Sequence, residues 1–186
     1  SFRDVTPARV AQDRIAQAMA DLAEQAAQLK AVAFQDPLTG LSNRQLFNDH
    51  LAAALRGPCG TAVDVLLLDL DDFKEVNDIL GHHAGDQLLI EVGRRLRECV
   101  RPSDVVARLG GDEFVVLLVG SLDPDAVSDR IVASLRVPLW IDGTMLRPSL
   151  SLGLASINED AVDASELLRR ADIAMYAAKA AGKNRY

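Results

Sequence analysis

The run VDVLLLDLDDFK, residues 63–74, decides the fold. Val63 to Leu70 is an almost unbroken apolar run, the pattern of a strand buried within a sheet. Such a strand delivers Asp69 to its end, where a charge is costly unless it is paired or holds a metal. The second strong signal is RLGGDEF, residues 108–114. Val105 to Leu109 and Phe114 to Val119 read as two strands, with Gly110-Gly111-Asp112-Glu113 as the turn between them. Two glycines permit positive φ and close approach of another molecule, and they expose two carboxylates at a rigid tip. If this hairpin lies beside the first strand, Asp69 and Asp112 converge. Oxygen ligands from two separate elements, completed by waters and phosphates, are the pattern that Mg2+ takes. Each piece has a plain alternative, because an acid after a strand is often a helix N-cap and Gly-Gly-Asp is an ordinary hairpin turn. Together they favour a joint site.

Around these two signals, helical and extended patterns alternate. Arg44 to Arg56 reads as a helix, and Gly57-Pro58 ends it. Leu88, Leu89, Val92, Leu96 and Val100 mark another by their spacing. Asp123-Pro124 opens a third, carried by Val127, Ile131 and Leu135. Leu139 to Ile141 and Leu146 to Ile157 are expected to form a hairpin around Asp142-Gly143. A last helix carries Leu167, Leu168, Ala171, Ala174, Met175 and Ala178, with Gly182 as its stop. The order α-β-α-α-β-β-α-β-β-α predicts an α+β fold, a central, mostly antiparallel sheet flanked by helices.

The N-terminal residues 1–34 differ from residues 35–186. Thr6-Pro7 is a helix start, a cap followed by proline at the first helical position, and no glycine or proline interrupts from there to Phe34. Positions 8, 11, 15, 18, 22, 25, 29 and 32 read Ala, Ala, Ile, Ala, Leu, Gln, Leu, Val. This alternating three–four spacing is a coiled-coil seam. A helix of this length would run roughly 42 Å, and its narrow apolar face suits a self-associating stalk better than a core helix. It should stop at Asp36-Pro37, since the residue before proline is pushed out of helical geometry.

Composition narrows the function. The 186 residues are 49% hydrophobic and 25% charged, the balance of a soluble globular protein. Aromatics at 4% demand an aliphatic core. No apolar run is long enough to span a bilayer, and no signal-peptide layout opens the chain. Its start on Ser1 suggests a processed or truncated chain. Cys59 and Cys99 suggest a reduced, cytoplasmic setting rather than a disulfide framework. The net charge of −7 argues against a duplex nucleic-acid binder. The acid is clustered: positions 69, 71, 72, 75, 78 and 86 are acidic against one base, Lys74.

Taken together, RLGGDEF (108–114), DLDDFK (69–74), Asn77-Asp78 and GHHAGD (81–86) resemble the GGDEF family of bacterial diguanylate cyclases. DPLTGLSNR (36–44) is similar to that family's opening segment and AKAAGKNR (178–185) to its closing one. The resemblance runs from about Phe34 to Tyr186. It implies a fold like nucleotidyl cyclases and polymerase palms, and condensation of two GTP into cyclic di-GMP with release of two pyrophosphates.

The resemblance further implies two Mg2+ per site, with Mn2+ as a substitute, held by Asp69, Asp112 and the carbonyl of Leu70. Asp112 or Glu113 would take the hydroxyl proton. Asp72, Phe73 and Lys74 would offer backbone N–H groups to phosphates, as helix starts do. Gly110 and Gly111 let substrate approach. Lys74, Lys179 and Lys183 match phosphate-contacting positions, although lysines on a terminal helix are also often simply solvated. Arg108 has two readings, a phosphate contact or a brace for the hairpin. Asn77 and Asp86 would read the base, because a carboxylate accepts from both N1–H and the 2-amino group of guanine and finds neither on adenine. His82 and His83 are read as structural. Arg101 and Asp104 match an inhibitory site that binds the product, completed by a further arginine for which Arg130 is the candidate; a surface i,i+3 ion pair is the plain alternative. Catalysis would need a homodimer with two facing sites, and the stalk resembles helices that connect such domains to an upstream sensor. A non-catalytic receptor for GTP or cyclic di-GMP is the alternative function.

Overall fold

The computed structural model describes residues 7–58, 60–157, 163–183 and 185–186. The expected run Val63–Leu70 is the strand β1, at the interior of a four-stranded sheet. β1 pairs antiparallel on one side with β3 (Glu113–Val119) and on the other with β6 (Leu150–Ile157). β2 (Val105–Gly110) completes the order β2-β3-β1-β6, and every pairing is antiparallel.

Because side chains alternate along a strand, β1 feeds two cores. Leu66, Leu68 and Leu70 pack with the helix α4 (His82–Glu98) and with α5 (Pro124–Arg136). Val63, Val65 and Leu67 pack with α2 (Arg44–Leu55) and with α6 (Ala164–Ala180). Side-chain caps set the helix starts: Asn43, Asp123 and Asp163 each accept from an amide three residues on, at Leu46, Ala126 and Glu166. Gly153 lies where α6 crosses β6, and a Cβ there would stand 2.0 Å from the carbonyl oxygen of Ala171.

One expected element is divided. The run Leu146–Ile157 is not a single strand. Thr144–Leu146 forms β5, which pairs with β4 (Leu139–Ile141) around Asp142-Gly143 as a separate two-stranded sheet. β6 begins only at Leu150. Proline cannot donate to a ladder, so Pro148 breaks the run, and the Ser149 carbonyl turns to accept from the Asp71 amide at 3.0 Å.

The N-terminal helix α1 runs from Pro7 to Phe34. Of its expected seam, Ile15 and Leu22 are 61% and 65% exposed, so these apolar side chains find no core among the described residues. The side chains of Ala8, Ala11, Leu29 and Val32 lie outside the described residues, as does Cys59. The junction after α1 is ordered by the Asn43 side-chain amide, which donates to the Ala33 carbonyl at 2.9 Å. Cys99 is a buried free thiol. No described helix is long and apolar enough to cross a membrane.

Candidate active site

Strand register brings the two acidic signals together. Asp69 lies opposite Glu113, and the Leu70 amide donates to the Asp112 carbonyl at 3.3 Å. The turn depends on its glycines, since Gly110 and Gly111 take φ of 140° and 55°. A register shift between Arg108 and Gly110 re-aims the tip. Arg108 is engaged as a brace: its guanidinium donates to the Gly111 carbonyl at 2.7 and 2.9 Å and to both Asp36 carboxylate oxygens at 3.1 Å. Burial pushes the Asp36 carboxyl up, but the Thr39 hydroxyl and amide, then Arg108, overcome this and hold it below the usual carboxylate range. Arg44 steadies the same hairpin by donating to the Leu109 carbonyl, and its guanidinium lies 3.8 Å from Glu113.

Asp69 is partly buried, and burial pushes its carboxyl above the usual range. The hydrogen bond from Lys179 opposes that rise, while the charges of Asp112 and Asp71 add to it. The Lys179 ammonium lies 2.7 Å from Asp69 Oδ1. The half-buried carboxylate thus takes a cation as its partner, and carboxylate and carbonyl oxygens are hard donors of the kind that Mg2+ accepts. Among the described residues no three His, Cys, Asp or Glu side chains converge to hold a metal ion. Mg2+ bound through one or two carboxylates plus substrate phosphates needs no such cage.

Helix α3 (Phe73–Leu80) opens beside this point. Glu75 and Val76 both donate to the Asp72 carbonyl, which leaves the Phe73 and Lys74 amides at the open end of the helix. Asp72 sits in the left-handed region at φ 58°, with no capping bond from its side chain. Its carboxylate instead holds Lys183 at 2.5 Å, which raises the Lys183 ammonium above its usual range. Lys74 is exposed. Asn77 abuts the start of α4: a Cβ on Gly85 would lie 2.0 Å from Asn77 Oδ1, and Asp86 is the next, exposed residue. A cleft of about 340 Å3, lined by Leu70, Asp72, Val76, Ile79, Leu146 and Pro148 among others, lies against α3. His83 is within hydrogen-bond distance of Gln87, at 2.9 Å.

The Arg101 segment is a separate place. The Asp104 carboxylate accepts from the Arg101 backbone amide at 2.9 Å, closing a turn rather than forming the side-chain ion pair considered above. Both residues line a cleft with His50 and Arg97. Arg130 donates from Nε to the Cys99 carbonyl at 2.8 Å. Sequence reasoning missed Asp36 and Ser151 as supports. Asp36 carried a readable signal, the Asp-x-x-Thr turn. Ser151, whose hydroxyl donates to Asp71 at 2.8 Å, had none.

The antiparallel sheet, the flanking helices and the paired acids at the strand end define a palm-like catalytic domain of the nucleotidyl-cyclase type. A family profile described as "Diguanylate cyclase, GGDEF domain" matches residues 33–185, and the chain belongs to that family. It is 42% identical over 173 residues to the diguanylate cyclase TpbB of Pseudomonas aeruginosa, covering 90% of this chain and 40% of TpbB. It is also 42% identical over 163 residues to the cyclic di-GMP phosphodiesterase NbdA of the same species, covering 85% of this chain and 21% of NbdA. The chain thus spans well under half of these relatives. The solved coiled coil and GGDEF domain of DgcB from Caulobacter crescentus, in complex with c-di-GMP, superposes with a TM-score of 0.82 at 29% identity. That match covers 94% of this chain and 96% of the DgcB chain.

Proposed function

We propose that this domain condenses two GTP into cyclic di-GMP, releasing two pyrophosphates. The observation that carries the reading is the convergence of Asp69 and the Asp112 turn beside the open end of α3 and the cation of Lys179. Asp69, Asp112 and the Leu70 carbonyl would hold two Mg2+, or Mn2+ in their place, which when bound acidify a 3′-hydroxyl and offset charge on the α-phosphate. The chain's own groups do the rest. The Phe73 and Lys74 amides and the ammonium groups of Lys74, Lys179 and Lys183 take the phosphates. Asp86, with Asn77, accepts from guanine N1–H and the 2-amino group. Asp112 or Glu113 receives the proton from the 3′-hydroxyl. Each domain binds one GTP, so two copies must face each other, and α1, with Ile15 and Leu22 exposed, is placed to pair them. Arg101 and Asp104, with Arg130, form a product-binding inhibitory site. An upstream sensor would act through α1, and GTP as substrate places the domain in the cytoplasm.

The alternative is a receptor domain that binds GTP or cyclic di-GMP without turnover, and the match to a protein named as a phosphodiesterase favours it. The intact set of Asp69, Gly110, Gly111, Asp112 and Glu113 favours the cyclase. Incubation with GTP and Mg2+ over a range of protein concentrations, followed by chromatography, tests the choice. Cyclic di-GMP is expected from the parent and not from Asp112→Ala; no product at high protein concentration overturns the cyclase reading.

A further inference from the structure

The C-terminal end of α6 and the turn that follows it bring two lysines to the acidic loop, and each ends on a carboxylate. Lys179 contacts Asp69 at 2.7 Å, and Lys183 contacts Asp72 at 2.5 Å. The two pairs differ in depth. Asp69 and Lys179 have side chains 15% and 34% exposed, against 53% and 44% for Asp72 and Lys183. The deeper pair is the one that matters for a cation, because solvent screens it less.

We propose that Lys179 is a placeholder cation. Its ammonium occupies Asp69 until a divalent metal displaces it, and the displaced ammonium is then free to bind a substrate phosphate. This rests on the cyclase reading for the identity of the phosphate, but the exchange itself concerns only Lys179, Asp69 and the metal. A Mg2+ ligand oxygen lies about 2.0–2.1 Å from its ion. An ammonium held 2.7 Å from the same carboxylate would therefore stand close to a doubly charged ion, and the two repel. Lysine suits the exchange. Its compact, strongly hydrated head rides on a flexible four-carbon stem, whereas an arginine fork would hold the carboxylate in a fixed geometry. Without nucleotide, the metal must leave the ammonium unpartnered. With a triphosphate present, the ammonium has a new partner. Metal and nucleotide binding are therefore coupled through one side chain.

The test is a titration of the 186-residue chain with Mn2+ in the absence of nucleotide, with free Mn2+ read by electron paramagnetic resonance. Lys179→Met is expected to bind Mn2+ about three- to ten-fold more tightly than the parent, up to about 1.4 kcal/mol. Lys179→Arg, which keeps the charge and grips the carboxylate with a fork, should bind Mn2+ no more tightly than the parent. Lys74→Met removes the same charge from outside the Asp69 pair and should change affinity less than about two-fold. A second readout is reductive methylation of lysines followed by peptide mass spectrometry. Mn2+ should raise the reactivity of Lys179, and adding a non-hydrolysable GTP analogue should lower it again. Equal or weaker Mn2+ binding by Lys179→Met, including no binding by either protein, overturns the proposal. So does Lys179 reactivity that saturating Mn2+ leaves unchanged. Neither measurement uses cyclic di-GMP formation, so failure of the cyclase reading would appear separately, as a metal exchange without product.

Discussion

Gly153→Ala should damage this domain through a single methyl group. In the middle of β6, a Cβ at residue 153 would lie 2.0 Å from the Ala171 carbonyl oxygen, 2.3 Å from the Met175 amide nitrogen and 2.9 Å from the Met175 Cα. All three are backbone atoms, so no rotamer change relieves the clash. Carbon and oxygen need about 3.4 Å, so α6 must lift by about 1.4 Å. Overpacking that moves backbone lies at the upper end of its usual cost, about 3 kcal/mol. For a domain of this size that lowers Tm by about 6–12 °C. The same displacement reaches the site. Met175 is one turn before Lys179, so a lifted helix carries the ammonium away from Asp69, now 2.7 Å off, and equally from the phosphate proposed to take it. Misplacement of about 1 Å in a positioning group costs up to about 100-fold in rate, and cyclic di-GMP formation well below the lowered Tm should fall by at least about ten-fold. Differential scanning calorimetry and a pyrophosphate-release assay at 20 °C read both effects. A Tm within about 2 °C of the parent would refute the packing argument, because that shift is at most about 1 kcal/mol.

Asp64→Val should stabilise the fold by about 1–3 kcal/mol near neutral pH, because Asp64 is buried and its Oδ2 has no partner among the described residues. Burial raises its carboxyl, which Ser156 partly opposes, so the folded state holds the proton more tightly than the unfolded chain. Stability is then lost as pH climbs from the ordinary carboxylate range through the raised value. Urea melts should show the gain at pH 8 and a smaller one at pH 4; a loss at both would sink the reasoning. Gly85→Ala meets side chains rather than backbone: the new Cβ would lie 2.0 Å from Asn77 Oδ1 and 3.2 Å from Phe73 Cζ, and Asn77 must swing away. It should keep a near-parental Tm while weakening GTP binding by about ten-fold, the loss of one hydrogen bond to a base, as isothermal titration can measure. Arg101→Ala should relieve inhibition by cyclic di-GMP, and unchanged inhibition in a product-titration assay would remove Arg101 from that site.

Local chemistry made much of this structure readable. The apolar run of β1, the glycines of the 110–111 turn and the cap at Asp123 each act within a few residues, and sequence shows such effects directly; the expected cap at Thr6 lies outside the described residues. Pro148 also carried its signal, and the unbroken strand expected over Leu146–Ile157 ignored it. Other features depend on partners brought together by the fold. Arg108 meets Asp36 from 72 positions away, and Ser151 meets Asp71 from 80. Nothing around either member announces the other. The close approach of α6 to Gly153 is equally hidden, because a glycine in a strand reads the same whether a helix or solvent lies above it.

β1 carries a desolvated carboxyl near each end, and only one end is a site. Asp64 and Asp69 are both pushed up by burial. At Asp64, the neighbours are Leu118 and Ser156 across the strands, with the charge of Asp125 raising the carboxyl further. Among the described residues no cation meets Asp64, which is 2% exposed. At Asp69 the same burial is met by the Lys179 ammonium, by a turn with open space at Gly110 and Gly111, and by the Phe73 and Lys74 amides at the start of α3. Negative charge from Asp112 and Asp71 makes a cation more favourable there than the one lysine alone can satisfy. Burial therefore does not make the site. The difference lies in the elements that converge on the far end of the strand, which bring positive charge within reach and leave room to exchange it.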